Sequence, residues 1–163
     1  MPISHAGILR SRLVAARRGV LRRCSTSTVY LIDTNVISEL RKARRHGAVV
    51  AWLQEIDDRH LYLSAVTLGE IQAGIELTRE QDADKAQELE RWTDQLSTTL
   101  NVLPMDAEIF RLWARLMHRR SNDLIEDAMI AATAIRHDLT VVTRNTRDFR
   151  PFGVKVLNPF APR

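Results

Sequence analysis

The sequence predicts an α/β fold built on a parallel sheet, and three observations carry that expectation. Short apolar segments recur along the chain, at 29–32, 60–64, 101–103, 139–143 and 154–157. The stretches between them have helical apolar spacing, the alternation expected of strands joined by crossover helices. Polar and acidic residues gather just past several of the segments, at the sheet edge where open α/β proteins bind ligands.

The totals set the frame. A chain of 163 residues suits one domain with an ordinary core. Residues 29–160 are expected to form that domain, between a basic leader (1–28) and a short tail (161–163). No apolar run approaches the ~20 residues of a membrane span. A single cysteine, Cys24, excludes an internal disulfide, and no paired Cys/His spacing suggests zinc. A cytoplasmic setting is the default expectation.

The formal net charge of +4 is unevenly placed. The leader holds six arginines and no acid, so 29–163 keeps 18 basic against 20 acidic residues, a net −2. The high pI therefore belongs to the leader and does not mark the domain as a broad nucleic-acid-binding surface. Three readings of the leader stand: a transit-like segment, a basic arm that touches nucleic acid, or an over-extended start ahead of Val29. In each it is expected to be disordered or a loose helix, outside the catalytic core.

Val29–Leu40 (VYLIDTNVISEL) reads as a buried strand, an acidic turn and a helix with apolar Val36, Ile37 and Leu40. Asp33 or Thr34 could serve as its N-cap, a role both residue types favour. The basic run Arg41–Arg45 suits the helix's carboxyl end. A short helix comes next around Val49–Ile56, then the strand HLYLS. Residues 66–77 read as a helix capped by Ser64 or Thr67. On it, Glu70 has Val66, Ala73 and Leu77 as helical neighbours, unlike Glu76 and Glu80, which read as ordinary exposed acids.

Residues 80–99 form a charged amphipathic helix with a stripe of Leu89, Trp92 and Leu96. After the third strand Pro104 closes the segment, and Asp106 caps a helix carrying Ile109, Phe110, Leu112, Trp113, Leu116 and Met117. The next helix, Asp123–His137, is apolar on nearly every side from Ala128 to Ile135, so it is expected to be buried. Asp127 opens that run on the face of Leu124, Ile130, Ala131 and Ala134, with no Lys or Arg three or four residues away. A carboxylate so placed is costly unless paired, protonated or on a metal. Metal ligation is the favoured account, with a protonated or backbone-bonded side chain as the alternative. The strand LTVVT then runs into Arg144–Phe149.

Asp33, Glu70 and Asp127 thus each follow a strand or open a helix. Right-handed crossovers would bring all three to one edge of the sheet. Like charges gathered there repel, and a divalent cation would neutralise them. Oxygen-only ligands suit Mg²⁺ or Mn²⁺, ions used to hydrolyse phosphodiesters.

LIDTNVISEL, the LGEI helix and DAMIAATAIRHDLTVVTRNTRDF together resemble PIN-domain ribonucleases, and among them the VapC/FitB-like toxins of bacterial toxin–antitoxin pairs. The resemblance covers residues 29–160. It implies a PIN-like three-layer α/β fold with the first and fourth strands adjacent, and an Mg²⁺- or Mn²⁺-dependent endoribonuclease. Asp33 and Asp127 match the principal metal ligands, and Glu70 matches the acid that helps hold the metal or orients the attacking water. Asn35 would brace the turn, with Thr143, Asn145 and Asp148 in support. Asn145 stands where many PIN domains carry a fourth acid, and Asp148 is a candidate substitute. Arg144 and Arg147 would contact substrate phosphate. RNA, a small antitoxin and a second copy of the chain are the implied partners, with no membrane. Two alternatives stand beside this: a phospho-accepting signalling domain using Lys155, and a catalytically weak PIN domain acting in an antitoxin–operator DNA complex.

Overall fold

Five strands form one parallel sheet in the order β3-β2-β1-β4-β5. The computed structural model describes residues 28–161, so Cys24 and nearly all of the leader and tail lie outside the described residues. In chain order the elements are β1 (Tyr30–Ile32), α1 (Thr34–Ile37), α2 (Gly47–Glu55), β2 (Leu61–Ser64), α3 (Ala65–Arg79) and α4 (Ala83–Thr99). Then come β3 (Asn101–Leu103), α5 (Ala107–Leu116), α6 (Ile125–Arg136), β4 (Thr140–Val142), α7 (Thr146–Phe149) and β5 (Val156–Leu157).

The strands are short, yet the three inner ones, β2, β1 and β4, are largely buried on both faces, as a parallel sheet covered by crossover helices requires, while the edge strands β3 and β5 are partly exposed. Successive residues point to opposite faces. Ile32, Leu63 and Val142 join one core layer with Val36, Ile37, Trp52, Leu53 and Leu96. Leu31 and Val141 join the other, with Ala128, Ile130, Ala131, Ala134 and Phe149. A small satellite of Ile75, Ala86 and Leu89 binds α3 to α4.

β1 is central. Ile32 is paired with Leu63 on one side and Val142 on the other. The chain leaves β1 towards β2 and β3, then returns to its other flank as β4 and β5. The boundary between β1 and β4 is therefore a topological switch point, and the carboxyl ends of these two strands open onto a crevice.

Several expectations need correction. The first helix stops at Ile37 and passes into a 3₁₀ turn over Ser38–Arg41. Buried Glu39 anchors the segment after this turn, accepting from Lys42 Nζ at 2.6 Å and from the His46 amide at 2.9 Å. The predicted helix at 80–99 starts later, at Ala83, because the Asp82 side chain caps it through the Lys85 amide at 2.9 Å. The helix expected over 123–137 has a regular α segment only over Ile125–Arg136, after a 3₁₀ turn. Its Ile135 is 39% exposed, because one side of the helix faces away from the sheet. Phe110 is likewise 43% exposed, its ring edge-on to Trp113 at 6.0 Å. The last strand is only Val156–Leu157, and Lys155 lies before it, paired with Asp138 at 2.7 Å. That places Lys155 at the end of the sheet opposite the acidic turn, which removes the basis for the phospho-acceptor alternative.

Candidate active site

The turn after β1 is built by its own side chains. Asp33 is 5% exposed, and its amide donates to Val142 O at 3.0 Å, extending the β1–β4 pairing by one residue. Its Oδ1 accepts from the Thr34 amide at 2.7 Å, so it does cap α1. The cap uses only one oxygen. Oδ2 accepts from Thr143 Oγ1 at 2.7 Å and from Asn35 Nδ2 at 2.5 Å.

Thr143 follows β4 directly and is fully buried. Its hydroxyl oxygen also accepts from Asn35 Nδ2 at 3.1 Å and from the Asn145 amide at 3.0 Å. Asn35 Oδ1 accepts from the Arg144 amide at 2.9 Å. The loops after β1 and β4 are thus sewn together across the switch point by Asp33, Asn35 and Thr143. Each oxygen or amide left unpaired in such a buried place would cost about 1–3 kcal/mol.

Glu70 reaches the same edge from the second turn of α3, and Thr34 Oγ1 donates to its Oε2 at 2.5 Å. The expected apolar neighbours do not surround it: Leu77 is 63% exposed and Ala73 is also exposed. Glu70 is instead half-buried beside Thr34, Ile71 and Gly74.

Asp127 comes from the first turn of α6. Burial, then the charges of Asp33, Asp148, Glu70 and Glu126, push its carboxyl up to about 6. Burial also raises Asp33, opposed by hydrogen bonds from Thr143, Thr34 and Asn35, with Asp148 adding a repelling charge. Glu70 is raised by burial and by the charges of Asp33 and Glu126, against the Thr34 hydroxyl. Asp33, Glu70 and Asp127 therefore share one electrostatic neighbourhood, joined by Asp148 from α7 and by Glu126.

Glu126 and the hydroxyl of Thr34 do not stand out in the sequence. The adjacency of Glu126 to Asp127 is its only signal there, and the Thr34–Glu70 pair lies 36 positions apart. Asn145 is exposed and takes part through its backbone amide, whereas half-buried Asp148 acts on both Asp33 and Asp127. The Arg144 guanidinium lies over the Phe160 ring, 4.7 Å from its centroid. Arg147 is exposed.

A divalent ion can be tested against this donor set. Among the described residues no three His, Cys, Asp or Glu side chains converge into a full protein cage. Mg²⁺ does not demand one, since it usually keeps several waters and takes one or two carboxylates. Carboxylates that raise one another's proton affinity supply the negative potential such an ion neutralises. The residues present fit a hard, water-retaining cation.

The comparisons with known proteins agree with this geometry. The family model of the PIN domain matches residues 30–154. The chain is 37% identical over 140 residues to VapC ribonuclease Y4jK of Sinorhizobium fredii, spanning 81% of this chain and 98% of that protein. It is 35% identical over 137 residues to toxin FitB of Neisseria gonorrhoeae, spanning 80% and 97%. The solved structure of FitAcB from Neisseria gonorrhoeae superposes with a TM-score of 0.72 at 34% identity, over 81% of this chain and 99% of that one. The structure of FitAB bound to the IR36 DNA fragment superposes with the same TM-score of 0.72, at 33% identity over 83% and 98%. With the family model matching residues 30–154, relatives above 30% identity over most of both chains and a matching fold, this chain belongs to the PIN domain family.

Proposed function

We propose that this protein is an endoribonuclease that hydrolyses RNA phosphodiester bonds with Mg²⁺ or Mn²⁺, and that it acts as the toxin of a toxin–antitoxin pair. The observation that carries the chemistry is the raised proton affinity of Asp127, produced by burial and by four other carboxylates at one crevice. The ribonuclease and toxin names of full-length relatives supply the substrate class and the biological role.

In this reading Asp33 and Asp127 hold the ion. Bound there, it would make water a better nucleophile at neutral pH and offset charge on the phosphate. Asp33 is suited to a fixed ligand because Thr34, Asn35 and Thr143 leave its carboxylate a single orientation. Glu70 orients the attacking water and takes its proton, a task served by a carboxylate whose proton affinity is raised by burial above its ordinary value. Thr34 fixes the rotamer that makes this possible. Asp148 contributes charge from α7 in the place where Asn145 supplies none. With a net charge of −2 over 29–163, phosphate contact relies on the ion and local arginines, Arg144 and Arg147 among them, more than on a broad basic field.

The partners in this reading are RNA, a small cognate antitoxin and a second copy of the chain. Among the described residues no helix is long and apolar enough to cross a membrane. The decisive experiment combines purified protein, RNA and Mg²⁺ with Asp33→Asn, Asp127→Asn and EDTA. Loss of cleavage in all three, with retained fold and relief of growth inhibition in cells, supports the proposal. Full cleavage by either variant, or activity indifferent to EDTA, would sink it. Asn145 favours one second reading, a catalytically weak PIN domain working within an antitoxin–operator DNA complex. Metal titration against structured RNA separates the two.

A further inference from the structure

Next to the acidic crevice lies a cavity of about 170 Å³ between the turn after β1 and the helices α3 and α4. It shares Thr34 and Glu70 with the candidate active site. Arg41 and Trp92 form another wall, and the guanidinium lies over the indole, 5.9 Å from the ring centroid. Among the described residues Arg41 makes no ion pair, so the indole is what orients its planar cation. Ile71 and Gly74 from α3 add an apolar, uncrowded side.

We infer that this cavity receives a nucleobase flanking the cleaved bond and sets the enzyme's base preference. The inference rests on the ribonuclease reading and deepens it by assigning a specificity pocket. Single-stranded RNA is read by splaying bases onto aromatic rings or arginine planes and hydrogen-bonding their edges. Arg41 and Trp92 supply the stacking surface, and Thr34 and Glu70 lie in the same wall as the reacting centre. A base seated here would belong to a nucleotide next to the phosphate that faces the ion assigned to Asp33 and Asp127. Charge complementarity favours RNA as occupant, because the exposed Arg41 guanidinium that stacks with the base also carries the positive charge that attracts a polyanionic strand.

Gly74 allows a clean test. Gly74 lines the cavity, and a Cβ added there meets nothing within 4 Å, so a side chain can be built at this position and Gly74→Leu is the substitution chosen to narrow the cavity. Arg41→Ala removes the planar cation from an exposed position. Purified full chain with Mg²⁺ is first given a random-sequence RNA pool, and the cut ends are sequenced. Oligoribonucleotides carrying the preferred site are then made intact or with an abasic ribose at each flanking position.

The unaltered protein should show a base preference at one flanking position. Removing that base should lower kcat/KM roughly tenfold to a hundredfold, the range carried by one base–aromatic stack. Arg41→Ala and Gly74→Leu should each lose the preference, cut the intact site as poorly as the abasic one, and lose nothing further on the abasic substrate. Variants that retain the original preference and rate would overturn the inference, as would equal losses on intact and abasic substrates. Unchanged RNA selectivity with lost inhibition by the cognate antitoxin would assign the cavity to a protein segment and overturn it too. Absence of any RNA cleavage by the unaltered chain would instead overturn the ribonuclease reading itself.

Discussion

The Thr34 hydroxyl donates to Glu70 Oε2 across 2.5 Å, tying the turn after the central strand to the second turn of α3. This bond opposes the burial that raises Glu70's proton affinity. Thr34→Val keeps the shape and removes the donor, so Glu70 should hold its proton to higher pH. The acidic limb of the pH–rate profile for RNA cleavage should then move upward. Stability should fall by only about 1 kcal/mol, the usual net worth of one hydrogen bond, measured by urea unfolding. An unmoved profile would show that Glu70 does not act through its ionised form.

Asp127 predicts an opposition between stability and activity. In the metal-free protein its carboxyl sits at about 6, above the ordinary value of 3.8. The folded state therefore holds this proton more tightly than the unfolded chain does. The stability gained from that proton is full below about pH 4 and is lost as pH rises through about 6. Asp127→Asn should abolish cleavage yet stabilise the metal-free fold near neutral pH. The gain should be about 1 kcal/mol once discounted for a half-exposed group, or roughly 2–4 °C in Tm. Near pH 4 the gain should vanish. Thermal melts at the two pH values, in EDTA, decide it.

The proposed cation gives a complementary melt. Mg²⁺ at about a hundred times its Kd should stabilise the unaltered protein by about 2.7 kcal/mol through binding linkage. Asp33→Asn and Asp127→Asn should gain much less. Equal gains in all three would place the ion elsewhere.

Asn35 spans the gap between the β1 and β4 loops with three hydrogen bonds. Asn35→Ala strips a partner from Asp33, Thr143 and the Arg144 amide together. The expected cost is about 1–3 kcal/mol, read from denaturant midpoints, with cleavage reduced through loss of the Asp33 orientation. A variant of normal stability would show that water replaces the amide without penalty.

Asp148 and Asn145 should separate by the same assays. Asp148→Asn removes a charge that raises Asp127, so the acidic limb of the cleavage profile should shift to lower pH and Mg²⁺ affinity should fall. Asn145→Ala should change stability by less than about 0.5 kcal/mol, because the residue is exposed and contributes its backbone amide.

By itself the sequence determined the five strands, their alternation with helices, and the candidate acids Asp33, Glu70 and Asp127. Those features are local: apolar runs with turn residues at their ends, and carboxylates at the starts of buried helices. It also placed the capping role of Asp106 and narrowed the first helix's cap to Asp33 or Thr34, since a cap bonds to amides within three residues. The tertiary structure decided which acids feel one another. Strand order puts β1 beside β4, and only then do Thr143 and Asp33, 110 positions apart, share a hydrogen bond. It turned Thr34 from a possible cap into the partner of Glu70, and it preferred Asp148 over Asn145 as the acid within reach of Asp127. It also exposed Ile135, whose burial the apolar run had suggested, and Leu77, named as an apolar helical neighbour of Glu70. Periodicity reports which residues share a helix face; the neighbours opposite that face come from chain segments distant in sequence. The crevice combines local bonds within each turn with long-range meetings between the turns, and it is the long-range ones that periodicity cannot report.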